Sequence, residues 1–424
     1  MRERVIARLV RVAVVVLVAL WPGIALAQRL PLAPYLPATR GEDPQRLQMP
    51  RRAPLTILPS VTVSEEYNDN VNLSNANRTS DFITGITPAL NVNLESTTYR
   101  LTAGYNFTAE MYANNPNRNA AFNRQNFDLD TEWRPSEQLT LSLIDGFALS
   151  TDTNLISPEG VSTGRGRAWS NNLRGGLGYR LDTFTTFRTG AGYRVQRYDS
   201  LGRQDSDIYS ADVAIDRALS RFLTATLSYE AAYFDIDFEP KVWTHTPRLG
   251  LSYRLTETIT IAASGGPSFE IYENNARDDR ITPAVSASYE QRTFFGGVRV
   301  DFDRRIGVAG ALGGTTDNTI IRGRVDVTTL TRGLTLSLGP RYAIVKSPDD
   351  GRPRPIDIQS FTMPLTATYR LTAWMAAVAS YQFFRQRTDT VVLNRTGQVV
   401  AEDADQNRVF VGLQFGYPFT FDRP

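Results

Sequence analysis

The chain has 424 residues, with 46 basic and 44 acidic side chains, one His and no Cys. Without Cys it has neither thiol chemistry nor a disulfide framework, and with a single His it is poorly equipped to house zinc. The near balance of charge gives no support to a nucleic-acid partner.

Residues 1–27 read as a secretory signal. Arg2, Arg4, Arg8 and Arg11 precede the apolar run 12–20, and Ala25-Leu26-Ala27 is a small-residue cleavage pattern. That run is too short to cross a bilayer. Cleavage after Ala27 would remove four Arg and one Glu, leaving 42 basic and 43 acidic residues. No Cys follows the site, so a lipoprotein anchor is not expected. Residues 28–56 are rich in Pro and Arg and lack periodicity, a composition suited to a tether on the periplasmic side.

From residue 57 to 421 one grammar repeats. Segments alternate apolar and polar at period two, and helix-period stripes are absent. Connections alternate between short ones, such as GYRLDTF (178–184), and long polar ones, such as SPEGVSTGRGR (157–167) and NNPNRNAAFN (114–123). A soluble sandwich has no reason to lengthen every second connection, whereas a membrane barrel does. The fold class expected is therefore all-β: a transmembrane antiparallel β-barrel of about 18 strands with short periplasmic turns and long extracellular loops. The segments start near residues 57, 82, 98, 126, 138, 168, 184, 207, 222, 243, 258, 280, 293, 318, 334, 357, 374 and 406. An even number returns both termini to the periplasm. In 98–112, Tyr99, Leu101, Ala103, Tyr105, Phe107, Ala109 and Met111 share the face assigned to lipid, and Arg100, Thr102, Gly104, Asn106, Thr108 and Glu110 share the lumen face.

The early run SEEYNDN (64–70) places Glu65, Glu66 and Asp69 close together, but without EF-hand spacing or its glycine. Asn and Asp suit the exit of a strand into a loop. Its Ser64, Glu65, Tyr67, Asp69 and Asn70 resemble an opening segment that recurs in outer-membrane β-barrel porins encoded with exopolysaccharide biosynthesis genes (type 2-like β-barrel porins). That resemblance extends loosely over 56–421 through strand grammar. It implies a passage for secreted polysaccharide that works with periplasmic export proteins. At the C-terminus Gln414, Gly416, Phe419 and Phe421 resemble the signal read by the outer-membrane barrel assembly machinery, although Asp422-Arg423-Pro424 follow it.

Alternation places Arg174, Arg188, Arg194, Arg248, Arg254, Arg299, Arg322, Arg324 and Arg341 inside, with Glu110, Asp128, Asp130 and Glu132 as an opposing acidic wall. Glu230, Glu270, Asp301 and Asp326 are interspersed among the arginines. Such a lumen suits anion passage, because Arg grips carboxylates through a bidentate fork. It equally suits a braced wall in which the charges pair. His245 shares the face of Trp243, Leu249 and Leu251, and no GxSxG surrounds any Ser, so the chain does not read as an enzyme. No cofactor is implied. The leading expectation is a polysaccharide export pore; the alternatives are a diffusion porin for small solutes and a non-conducting scaffold barrel, all in the bacterial outer membrane.

Overall fold

The computed structural model describes residues 55–421 apart from 201, 276, 329, 349–355, 390–391 and 394–398; the expected signal and all but the last two residues of the tether lie outside the described residues. The described strands are β1 (Leu55–Asn68), β2 (Asp81–Glu95), β3 (Tyr99–Tyr112), β4 (Ala120–Trp133), β5 (Leu139–Asp152), β6 (Arg165–Arg180), β7 (Thr185–Tyr198) and β8 (Ser206–Ala218). They continue with β9 (Leu223–Ile236), β10 (Val242–Arg254), β11 (Ile259–Tyr272), β12 (Arg280–Thr293), β13 (Gly296–Val308), β14 (Thr315–Val327), β15 (Leu334–Leu338) and β16 (Arg341–Lys346). The last are β17 (Asp357–Arg370), β18 (Met375–Thr388), β19 (Val392–Leu393), β20 (Val399–Ala401), β21 (Ala404–Gly416) and β22 (Phe419–Phe421).

Each neighbour pairs antiparallel with the next, and β1 closes the ring on β21 and β22. β15 and β16 are one stave broken at Gly339-Pro340, since both pair with β14 and β17. β21 and β22 are one stave broken at Tyr417-Pro418, and β19–β20 is a small hairpin outside the ring. The barrel thus has eighteen staves. Every expected start falls within three residues of the observed one except the fourth, which begins at Ala120 rather than 126. The polar residues Arg124, Gln125 and Asn126 read as a loop end but pair with β3, and Ala120 pairs beyond a register shift between Thr108 and Glu110. Leu55 and Thr56, the last two residues of the expected tether, belong to β1.

The outer face carries the apolar row. Leu249 is 70% exposed, Val411 59% and Leu227 58%. A soluble protein would cover such residues with a second layer; in a closed barrel hydrocarbon covers them, and the ladder satisfies the backbone. Aromatic rings line one stretch of the outside in contact order Tyr193, Tyr209, Tyr233, Trp243, with centroids 5.0, 6.4 and 4.8 Å apart. That row suits a membrane–water interface. His245 stands beside it on the outer face, its Nδ1 2.6 Å from the Tyr229 hydroxyl and its ring stacked on Trp243.

Prolines mark where the wall bends. Register places Pro247 of β10 opposite Pro267 of β11, and the ladder is interrupted there because neither has an N–H. The strands approach so closely at this point that a Cβ on Gly266 would run into the Pro247 carbonyl. Pro283 likewise ends the β12–β13 ladder at Val285↔Arg304. Beyond it β13 turns inward, and Ile306 and Val308 pack with Ile208, Phe234 and Tyr272.

Glu65 and Glu66 point to opposite faces. Glu65 accepts from Thr84 Oγ1 on the outside at 2.8 Å, while Glu66 is buried in the lumen with Arg408. The two cannot hold one cation between them. Asp69 instead ties the strand end to Asn407 and Arg78.

The apolar belt yields a direct test. Val213, mid-strand in β8 and 43% exposed, faces lipid. Val213→Arg should destabilise the barrel by about 2–4 kcal/mol in urea unfolding from lipid vesicles, as expected for a charge at the bilayer midplane. A change near zero would place this face in water.

Candidate functional site in the lumen

The connection between β5 and β6 does not lie outside. After a helical turn at Thr153–Ile156 the chain through residue 163 is buried, with Ile156 and Val161 almost wholly so. Sequence reading took 157–167 for an external polar loop; residues 157–164 instead cross the lumen and β6 begins at Arg165. Two apolar side chains drive the insertion. Ile156 packs with Ala148, Ala168, Tyr198 and Ala311, and Val161 with Ala309, Val345, Ile356 and Ile358.

The far wall satisfies the polar atoms of this loop. Gln386 on β18 makes two bonds to the Ser162 backbone, accepting at 2.8 Å and donating at 2.9 Å. Ser360 Oγ on β17 donates to Glu159 O at 3.1 Å, and Arg341 Nη1 on β16 donates to Pro158 O at 3.3 Å. Asn318 Nδ2 on β14 donates to Glu159 Oε1 at 3.1 Å, and Arg203 reaches the Thr163 carbonyl. Gly160 has φ +70°, and a Cβ there would collide with the Arg341 guanidinium. The apolar Ile156 and Val161 within a glycine-rich connection were the sequence signal for this insertion.

Two other connections fold over the same mouth. In the first, Val71 packs with Ile83 and Tyr112, and Leu73 with Phe384 and Ala404. The 309–314 turn packs Ala309 and Ala311 against the inserted loop.

Beneath them lies an ion network that sequence reading missed. Arg408 grips Glu66 with Nε and Nη2, each at 2.8 Å, and reaches Asp152 at 3.0 Å with Nη1. Arg124 bridges Glu110 at 3.0 Å and Glu66 at 3.7 Å, and Arg165 bridges Asp152 at 3.7 Å and the Tyr112 hydroxyl at 2.8 Å. Three carboxylates face three guanidiniums, so the cluster is neutral and holds β1, β3, β4, β5, β6 and β21 together.

Most of the arginines singled out from the sequence have carboxylate partners. Arg174 meets Asp212, Arg188 grips Asp216, and Arg324 meets Asp326 at 2.6 Å. Arg299 holds Asp301 at 2.8 Å and approaches Glu290 at 4.0 Å, as Arg248 does Glu230. Arg341 serves the inserted loop. Arg254 stands near the short-turn rim opposite Thr260. Arg194 reaches only Asn172 Oδ1, at 3.5 Å, among the described residues. Arg322 buries its Nε and Nη2 without a hydrogen-bond partner among them.

The acids are likewise answered on their own wall. Arg124 pairs with Glu110, Arg100 approaches Asp130 at 3.6 Å and Glu132 at 3.5 Å, and Arg134 meets Glu132. Asp128 lies on the same face, opposite Gly104 and Gly146. This wall is of mixed sign, because Arg100 and Arg124 sit on the acidic strands themselves and Arg134 directly follows β4. Gln414 is buried beside Ser60, Gly416 ends β21, and Phe419 and Phe421 are exposed on β22.

Among known families, the model described as "Putative MetA-pathway of phenol degradation" matches residues 310–423, the C-terminal staves alone. No curated protein matches the sequence. Among solved structures, OpdQ of Pseudomonas aeruginosa is 11% identical, with 86% of this chain and 99% of that one covered at a TM-score of 0.44. OccK2 (OpdF) of the same organism, solved in complex with glucuronate, is 12% identical over 87% and 98% at 0.43. The ferric enterobactin receptor PfeA is 11% identical over 86% and 82% at 0.41.

The buried network predicts an asymmetry between arginines. Arg408→Met leaves Glu66 and Asp152 short of their cation and should cost about 3–5 kcal/mol in urea unfolding. Arg100→Ala, half exposed at the short-turn end, should cost under about 1 kcal/mol. Equal losses would show that the network does not brace the barrel.

Proposed function

We propose that the protein is an outer-membrane channel for small polar solutes, with a preference for anions where the inserted loop narrows the lumen. The observation that carries this reading is the loop at 153–164, pinned to β14, β16, β17 and β18 across the bore. Withdrawing it would expose Ile156 and Val161, at about 1.5–3 kcal/mol each. It would also break some five hydrogen bonds at about 1 kcal/mol each. A polymer needs that withdrawal, of order 10 kcal/mol; a small solute that passes beside the loop does not.

The polysaccharide export reading therefore ranks below the small-solute channel. Its sequence support is the SEEYNDN segment, and there Glu66 and Asp69 are engaged in holding the strand end to β21. In this reading the signal at 1–27 directs export, both barrel ends at the short-turn rim face the periplasm, and the exposed Phe419 and Phe421 are read by the assembly machinery. A periplasmic export partner belongs to the lower-ranked reading.

Planar-bilayer recording tests the proposal. The purified barrel should give a small, steady current whose reversal potential in a KCl gradient shows anion preference. Deleting residues 155–162 should raise the conductance several-fold. A silent barrel that conducts only when the loop is deleted would overturn the reading, and so would steady block by long acidic polysaccharide together with its transport.

A further inference from the structure

The lipid-facing side of the wall holds a carboxyl group at mid-strand. Ladder register sets Asp145, at the middle of β5, beside Leu129 of β4 and Leu173 of β6, among side chains that face outward. Leu143 and Leu173 next to it are each 39% exposed. Other charged groups on this face lie close to the strand ends and pair with opposite charge. Arg197 meets Asp207, Arg304 meets Asp317 and Arg385 approaches Asp405 near the long loops, and Arg217 meets Asp182 at the short turns.

Asp145 has a neutral neighbour instead. Asn171 Nδ2 on β6 donates to its Oδ1 at 2.8 Å, the one hydrogen bond that either side chain makes among the described residues. Asp145 keeps its second carboxyl oxygen, and Asn171 keeps an amide hydrogen and its carbonyl oxygen. Hydrocarbon answers none of these, and polar groups inside a membrane are costly unless protein covers them. The pair is matched to itself. A copy of it, turned about an axis along the membrane normal, offers Asn171 to Asp145 and Asp145 to Asn171 at once.

The wall alongside allows close approach. Gly175 of β6, Ala191 of β7, Ala211 of β8 and Ala231 of β9 run in register across four strands. A Cβ on Gly175 would meet no atom within 4 Å. Leu143, opposite Gly175 in register, and Leu173 protrude beside this shallow strip. Protein surfaces in a membrane associate through small residues that let backbones approach and through polar side chains that bond across the seam.

We propose that a second copy of this chain docks on the β5–β6 face, as a twofold dimer in which Asp145 of each protomer accepts from Asn171 of the other. The dimer does not depend on what the lumen passes.

Sedimentation equilibrium in density-matched micelles, and energy transfer between labelled barrels in lipid vesicles, should both show a wild-type dimer. Asp145→Leu and Asn171→Leu should each lower the association constant at least tenfold. Both should remain folded barrels by circular dichroism and by migration without boiling, because each places an apolar side chain against lipid. Asp145→Asn keeps an oxygen acceptor and should hold association within a few-fold. Leu173→Cys, in a chain with no Cys of its own, should link to its copy in intact outer membranes under oxidant. Leu365→Cys, exposed on β17, should not. A wild-type barrel that stays monomeric in vesicles at every protein density would overturn the dimer and leave this face to lipid. Association unchanged in Asp145→Leu, no link at Leu173→Cys, or equal linking through Leu365→Cys would each overturn the placement. Loss of association in Asp145→Asn would overturn the exchanged hydrogen bonds, and a Leu173→Cys adduct of another mass would overturn the second copy as the occupant.

Discussion

Hydrocarbon offers no partner to a backbone N–H or C=O, and that one constraint shapes everything else in this molecule. The wall must close on itself, so β1 meets β21 and β22 as well as β2. Closure with period-two alternation sends apolar side chains to lipid and leaves the lumen to the polar ones. A polar lumen filled with ionised groups must then satisfy them within the wall, and the Glu66–Arg408–Asp152–Arg124 network is the result. Even the departures obey the rule. Where Pro247 and Pro267 remove two donors, the defect sits in a tightly approached stretch of β10 and β11.

The inserted loop follows from the same physics in reverse. Residues 153–164 carry Ile156 and Val161, which water would disfavour and which the lumen surface of the upper staves can cover. Their burial brings polar backbone along, and Gln386, Ser360 and Arg341 supply its partners from the far side, while Asn318 meets the Glu159 carboxylate. The loop is thus a second, small core inside the barrel. It fills the bore at that level from one wall to the other.

The staves were legible in the sequence because period-two alternation is a direct consequence of a wall with lipid on one side and water on the other. The start of β4 was missed because four consecutive polar residues, 123–126, read as loop; Arg124 and Asn126 face the lumen, and Gln125 is held on the outer face by the Tyr105 hydroxyl. The faces of the arginines also followed from parity. Their partners did not, since pairing depends on register and shear, which bring Arg100 to Asp130 and Glu132, and Arg124 to Glu110. The inserted loop escaped because its glycines and serines look solvent-facing one at a time. The unanswered Arg322 edge could not be read from the chain at all: it appears only once Asp301 and Asp303 are seen to be occupied by Arg299 and Arg305.

Whether small solutes pass while the loop stays in place can be tested with engineered thiols, because the chain has no Cys of its own. Cysteines at Ser162 and Gln386, joined by a short thiol-reactive crosslinker, would fix the loop to the β18 wall. The linked barrel is expected to carry the same ion current as the unlinked one. A current that vanishes on linking and returns when a cleavable linker is cut would show instead that passage requires the loop to withdraw.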